Sequence, residues 1–336
     1  MKKKRVLFYS SVTDKKLFHI QQFYSIDIML LEEMGYEVLL SNSVYDACRF
    51  WTYDFVFAYF YRYSFFVALI ASFFRKPVYF TGGIDKLDSN WASKKEKIIQ
   101  QVFFFLCYML STKCIIVSSA DMSNVRKIVI GHSKLCYSEH TIDVNSYDNS
   151  SIHNKEDLFT TILWQGTGNV YRKGVDLALK IYSKMIEDGY FLNSKFAIIG
   201  KKAGGTQILE EIVAKYDLGS RVFFTDAISE TEKISYLKKS KYYFQLSVYE
   251  GFGLAPMEAL CARNIVIHSG KGGLANPIYN YGILFNRDDN FDKEYAKLLA
   301  NILKFDSTVL EEAHTIIIEK YSHERRLKDF KLYITE

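Results

Sequence analysis

Runs of strand composition alternate with runs of helical periodicity along this chain, stop at one polar stretch, and then begin again. Residues 5–10 read as a strand, 20–34 as an amphipathic helix ending at Gly35, and 37–41 as a second strand. A strand over 55–61 leads into a helix over 63–74. Residues 78–80 form a strand ending at Gly82-Gly83, 98–110 a helix and 114–118 a strand. Parallel strands need a long crossover, and an intervening helix supplies it, so this alternation predicts βαβ units with helices on both faces of a sheet. Residues 143–157, rich in Asn, Ser and Asp, read as a linker. The pattern then restarts with strands at 159–164, 195–199, 222–224, 242–247 and 265–268, and helices at 175–188, 207–216, 230–240 and 254–263. A chain of 336 residues accommodates two such domains, expected at 1–150 and 151–320.

Composition excludes several classes. Hydrophobic residues make up 49% and charged residues 24%, which is globular. The formal charge of +5 is mild, and no basic stripe with interleaved stacking aromatics appears, so no nucleic-acid partner is expected. Five cysteines, an odd number with no Cys-x-x-Cys spacing, argue against a disulfide framework and a zinc site and for a reducing, cytoplasmic setting. No signal peptide is evident after the basic start at residues 1–5. That start suits either an acidic membrane surface or a solvated lead-in to the first strand. The apolar stretch 55–74 approaches the length of a membrane span, but Arg62 divides it into a strand and a helix of a buried core. The aromatic helix 98–110 reads the same way. A membrane-surface role for one of these helices stays open, because aromatics reach 16%.

The most informative phrase is Tyr249-Glu250-Gly251-Phe252-Gly253-Leu254-Ala255-Pro256-Met257-Glu258-Ala259-Leu260. It follows a strand and opens a helix with Pro256 in its first turn, where a missing N–H costs least. Free N–H groups and the positive end of the helix dipole make that point an anion site, and the glycines allow a close approach. Glu250 and Glu258 flank it, and a carboxylate can accept both hydroxyls of a sugar diol. Phosphate plus sugar hydroxyls points to a nucleotide-sugar.

This phrase, with seven residues between its glutamates, resembles the signature of retaining GT-B glycosyltransferases, most closely glycosyltransferase family 4. The resemblance implies two Rossmann-like domains facing a central cleft, an N-terminal acceptor domain and a C-terminal donor domain. A last helix, within 321–336, would pack back towards the first domain. The likeness is specific from about residue 161 to 285 and topological before that. It implies that Glu258 holds the donor ribose and Glu250 a hydroxyl of the transferred sugar. The backbone of Gly251, Phe252, Gly253, Leu254 and Ala255 would meet the diphosphate. Arg172-Lys173-Gly174 resembles the family's Lys-Gly motif, whose lysine meets the pyrophosphate, a task suited to a flexible point charge. The family's preceding Gly-Arg pair is replaced by Gly166-Thr167, which leaves Arg172 as a second cation. Gly200 falls at a glycine turn near the nucleotide, and Ile228 ends the segment whose backbone edges the base. Gly272 and Gly273 match a later glycine turn, and Asp143 falls at the family's hinge. In the first half, Gly83 and Asp85 are the acceptor-side candidates.

A dehydrogenase would need Gly-x-Gly-x-x-Gly after an early strand, where this chain has Ser10-Ser11-Val12-Thr13. A non-catalytic sugar- or nucleotide-binding protein of the same fold is the alternative from another class, although Glu250, Glu258 and Lys173 are all present. The resemblance implies a retaining transfer from a nucleoside-diphosphate sugar to a glycan or lipid-linked glycan, with no cofactor. With no Asp-x-Asp pair in the chain, no divalent metal is expected either. The expected location is cytoplasmic, with peripheral contact at the inner face of a membrane left open.

Overall fold

The computed structural model describes residues 3–88, 92–148 and 150–334. The basic start therefore lies partly outside the described residues. The chain divides into two compact units, Met1–Ile142 with Tyr321–Glu336, and Asp143–Lys320.

The first unit is a six-stranded parallel sheet of β1 (Arg5–Tyr9), β2 (Glu37–Ser41), β3 (Phe55–Tyr59), β4 (Val78–Thr81), β5 (Lys113–Ile116) and β6 (Leu135–Tyr137). Their order is β2-β1-β3-β4-β5-β6. β3 is buried at all five positions, as a strand covered on both faces must be, so the first part of the apolar stretch 55–74 is core. No helix among the described residues is long and apolar enough to cross a membrane. The helices after β3 and β4, Ser64–Phe73 and Lys94–Leu110, cover one face of the sheet.

Three expectations need correcting here. The helix expected over 20–34 is broken at Gln21, whose extended ψ of 115° separates a single turn at Leu17–Ile20 from Gln22–Glu33. The helix expected from 98 starts earlier, because Ser93 and Glu96 form a reciprocal capping box ahead of the apolar run. That helix is also not wholly buried. It seats Phe104, Cys107 and Tyr108 in the core and leaves Ile98, Val102 and Met109 in solvent, since a helix lying on a sheet buries only one stripe.

The second unit repeats the architecture with β7 (Glu156–Ile162), β8 (Lys195–Ile199), β9 (Val222–Phe224), β10 (Ser240–Gln245), β11 (Ile265–His268) and β12 (Ile283–Leu284). Every pairing is parallel and the order is β12-β11-β10-β7-β8-β9. In a sheet of this order the chain winds outward in both directions from β7 and β10. The carboxyl ends of those two strands flank the topological switch point, where open α/β sheets bind ligands.

Candidate donor site

The loops that leave β7 and β10 converge at the switch point. After β7 the chain makes a short helix, Thr167–Arg172, which sequence reading missed. Lys173 ends it, Gly174 turns at φ +68°, and the helix Val175–Glu187 follows. A Cβ on Gly174 would lie 2.1 Å from the Leu246 carbonyl oxygen, so glycine is required for the β7 loop to approach the end of β10. The approach is fastened by Val248 N–H, which donates to the Arg172 carbonyl at 2.8 Å.

That convergence brings together two of the residues singled out from sequence. The Lys173 ammonium donates to Glu250 Oε1 at 2.5 Å. The same oxygen accepts from Gln245 Nε2 at 2.8 Å and Ser247 Oγ at 2.7 Å. Burial would raise the Glu250 pKa, but Lys173, Arg172 and the hydroxyl of Ser247 outweigh it and hold the carboxyl below its ordinary value. Glu250 is thus a buried, ionised carboxylate held in one position. Arg172 contributes from nearby while its Nε donates to Asn169 Oδ1 at 3.1 Å. Neither Gln245 nor Ser247 was anticipated, since polar residues at the end of a buried strand look like ordinary strand termination.

The signature turn is pinned from the opposite side. Glu250 pairs with Gly272 in an isolated parallel bridge, and Gly273 N–H donates to the Glu250 carbonyl at 2.6 Å. A Cβ on Gly273 would collide with the backbone of Gly251 and Phe252, which accounts for the second glycine turn. Gly253 adopts φ +92° and its carbonyl accepts from the Tyr279 hydroxyl at 2.5 Å. The helix Leu254–Cys261 then opens with Leu254 and Ala255, whose N–H groups have no partner available inside the helix.

Glu258 lies within that helix, buried, and accepts from Lys233 Nζ at 2.8 Å. Lys233, on the helix Glu230–Lys239, also pairs with Glu230 at 2.7 Å. Burial disfavours its charge, but Glu258 and Glu230 prevail and raise its pKa. The buried Tyr147 hydroxyl is pushed up by burial and then by both carboxylates, and it has no hydrogen-bond partner among the described residues. Tyr243 is also buried, and burial first, then the charge of Glu250 and more weakly that of Glu258, push its hydroxyl well above the ordinary range. Lys233 and Tyr147 carry no sequence signal, because each reaches Glu258 only through the fold.

The remaining candidates are placed less centrally. Gly200, at φ +130°, abuts the Leu163 carbonyl, and its N–H is taken by Thr225 Oγ1 at 3.0 Å. Ile228 packs on an apolar cluster with Leu158, Ala197 and Ile199. In the first unit, Gly83 and Asp85 follow β4, and the neighbouring Ile84 N–H donates to the buried Asp121 at 3.0 Å.

Two independent sheets of this kind, the second in Rossmann order with its polar cluster at the switch point, constitute a GT-B fold. Residues 166–321 match the family model described as glycosyl transferases group 1. The probable sucrose-phosphate synthase of Thermosipho melanesiensis is 27% identical over 167 residues, 47% of this chain. The match spans only 37% of that relative's length. Among solved structures, Anabaena Alr3699/HepE in complex with UDP and glucose aligns with a TM-score of 0.75 at 14% identity, covering 98% of this chain and 99% of that one. The sucrose-phosphate synthase of Thermosynechococcus elongatus aligns with a TM-score of 0.73 at 13% identity, over 99% and 98% of the two chains.

Proposed function

We propose that this protein is a retaining glycosyltransferase that moves a sugar from a nucleoside-diphosphate sugar to a glycan or lipid-linked glycan. The observation that carries the reading is the Lys173–Glu250 pair at the switch point, a cation for phosphate fixed against a carboxylate for sugar. Lys173, with Arg172, neutralises the departing diphosphate, aided by the free N–H groups at Leu254 and Ala255. Glu250 accepts a hydroxyl of the transferred sugar and orients the ring. Glu258 accepts the ribose diol, with Lys233 paired to it and the Tyr147 hydroxyl in its neighbourhood. The backbone from Gly251 to Gly253 lines the diphosphate, and Gly200 and Ile228 stand near the base. The leaving phosphate takes the acceptor proton on the face from which it departs, so no protein base is required. Gly83 and Asp85 serve the acceptor. Charge on the leaving group is met by these cations and amides, so turnover needs no divalent metal.

The structurally similar Anabaena Alr3699/HepE was solved with UDP and with UDP-glucose, which makes uridine nucleotides the first donors to try. The test is a panel of nucleotide-sugars scored by thermal shift and hydrolysis, with and without excess chelator. Binding of one donor, lost in Glu258→Ala by about 1.5–3 kcal/mol, and turnover that survives chelation are expected. Unchanged affinity in Glu258→Ala would remove its role, and strict dependence on Mg²⁺ or Mn²⁺ would overturn the charge assignment.

A further inference from the structure

Two neighbouring helices of the first unit present apolar side chains that nothing among the described residues covers. On Ser64–Phe73, the residues Phe66, Leu69 and Phe73 form one stripe at helical spacing, with Phe73 81% exposed. On Lys94–Leu110, Ile98, Val102 and Met109 form another, with Ile98 60% exposed. The helices follow adjacent parallel strands and share one buried cluster. Phe65 and Phe103 join them, ring centroids 5.9 Å apart in an edge-on contact. The stripes are therefore parts of one face, larger in character than the scattered apolar residues of an ordinary surface.

Basic residues stand at the ends of both helices, while the acidic Asp46 and Asp88 lie on the short turns packed beside them. Arg62 precedes the first helix and Arg75 follows it, while Lys94 and Lys95 open the second, and all four are exposed. Glu96 is the only carboxylate on either helix. Its carboxylate already accepts from Lys86 at 2.8 Å and from the backbone N–H and hydroxyl of Ser93 at 3.1 and 2.9 Å. An apolar face rimmed by lysine and arginine at its ends is the pattern of helices lying in the plane of a bilayer. Their side chains enter the acyl boundary and the cations reach the headgroups. Neither helix meets the length and hydropathy of a span, so they lie on the surface rather than cross it.

We propose that the face formed by Ser64–Phe73 and Lys94–Leu110 docks on the surface of an anionic phospholipid bilayer. The proposal concerns the first unit alone and is independent of the donor chemistry assigned to the second. The experiment is flotation of the full chain with vesicles of phosphatidylglycerol and phosphatidylcholine, and with vesicles of phosphatidylcholine alone. Binding to the anionic vesicles that weakens with salt is expected, with much less on neutral ones. Leu69→Glu with Val102→Glu, and separately Lys94→Glu with Lys95→Glu, should each lower partitioning by about tenfold or more. These positions are exposed, so circular dichroism and the thermal shift on adding nucleotide should match the unaltered protein. Absence of binding to either vesicle overturns the proposal, as does binding that survives in both variants. A concentration-dependent dimer that Leu69→Glu with Val102→Glu dissolves, in a protein that ignores vesicles, would assign the face to a second copy instead.

Discussion

At Glu250 one carboxylate oxygen collects three donors, and only one of them is a cation. Burial opposes its ionisation and Lys173 supplies the largest opposing effect. A carboxyl whose folded pKa is depressed stabilises the protein above its unfolded pKa and loses that contribution as pH falls through the folded value. Lys173→Ala removes the compensating charge. The variant should therefore lose about 3 kcal/mol near neutral pH, as expected when one partner of a largely buried pair is left behind. Glu250→Gln in the same background should recover part of it. In calorimetry, Lys173→Ala should weaken UDP far more than uridine, because the missing partner is phosphate. Equal losses for both would make the lysine purely structural. The glutamates and Lys173 were legible in the sequence because the motif residues are adjacent in the chain. Gln245, Ser247, Lys233 and Tyr147 were not, since they join the site from a strand end, a neighbouring helix and a short turn at Val144–Tyr147 within the stretch that reads as a linker.

Between elements, a single cation closes two helices. Lys155, just before β7, donates to the carbonyls of Leu237 at 2.9 Å and Ala262 at 2.6 Å, and lies 3.4 Å from Asn264 Oδ1. Those carbonyls sit at the C-terminal ends of Glu230–Lys239 and Leu254–Cys261, the helices that carry Lys233 and Glu258. Helix C-termini favour a positive charge. Burial outweighs this and, with Arg263 nearby, pushes the Lys155 pKa down to about 7. A base with a lowered folded pKa leaves the unfolded chain holding the extra proton between about pH 7 and its unfolded pKa near 10.4. Stability from this group therefore rises with pH across that window and is flat below it. Urea midpoints from pH 7 to 9.5 should climb less in Lys155→Met than in the unaltered protein. An identical slope in both would place the titration on another group. A lysine at the end of a polar linker reads from sequence as solvated, and only the packing of two helix ends around it makes it otherwise.

On the scale of the whole molecule, the chain leaves its first unit at Ile142 and returns to it at Tyr321. The returning helix, His323–Tyr333, is fixed by Arg326, which is fully buried and forms a two-pronged pair with Asp27 at 2.7 and 2.8 Å. Its remaining N–H groups reach the carbonyls of Ser138 and Glu139, and the Tyr59 hydroxyl donates to Asp27. Every charge in the cluster is answered, which is the condition under which a buried ion pair is tolerated. Arg326→Met should destabilise the first unit by about 3–5 kcal/mol by stranding Asp27, and Asp27→Asn with Arg326→Met should recover much of that. Ending the chain at Lys320 should expose the apolar groups that Leu327 and Phe330 cover. Hydrogen exchange measured unit by unit should report the loss in the first and spare the second. Equal protection in the truncated chain would show that the returning helix contributes little.

Local patterning alone determined the alternating elements, because period-two and period-3.6 hydrophobicity is written along the chain, and it determined the glycine turn that opens the helix Leu254–Cys261, because glycine and proline act within a few residues. The short edge strands β6 and β12 escaped it, since two or three residues carry no period. The tertiary structure alone decided the strand order, and with it which loop ends meet at the switch point. It also decided that Lys233 reaches Glu258 from another helix, that Asp27 finds Arg326 across almost the whole chain, and that an aromatic helix leaves one face in solvent. Each of these is a pairing between residues far apart in sequence. The choice among such pairings rests on summed packing and desolvation over the folded chain, which no local window contains.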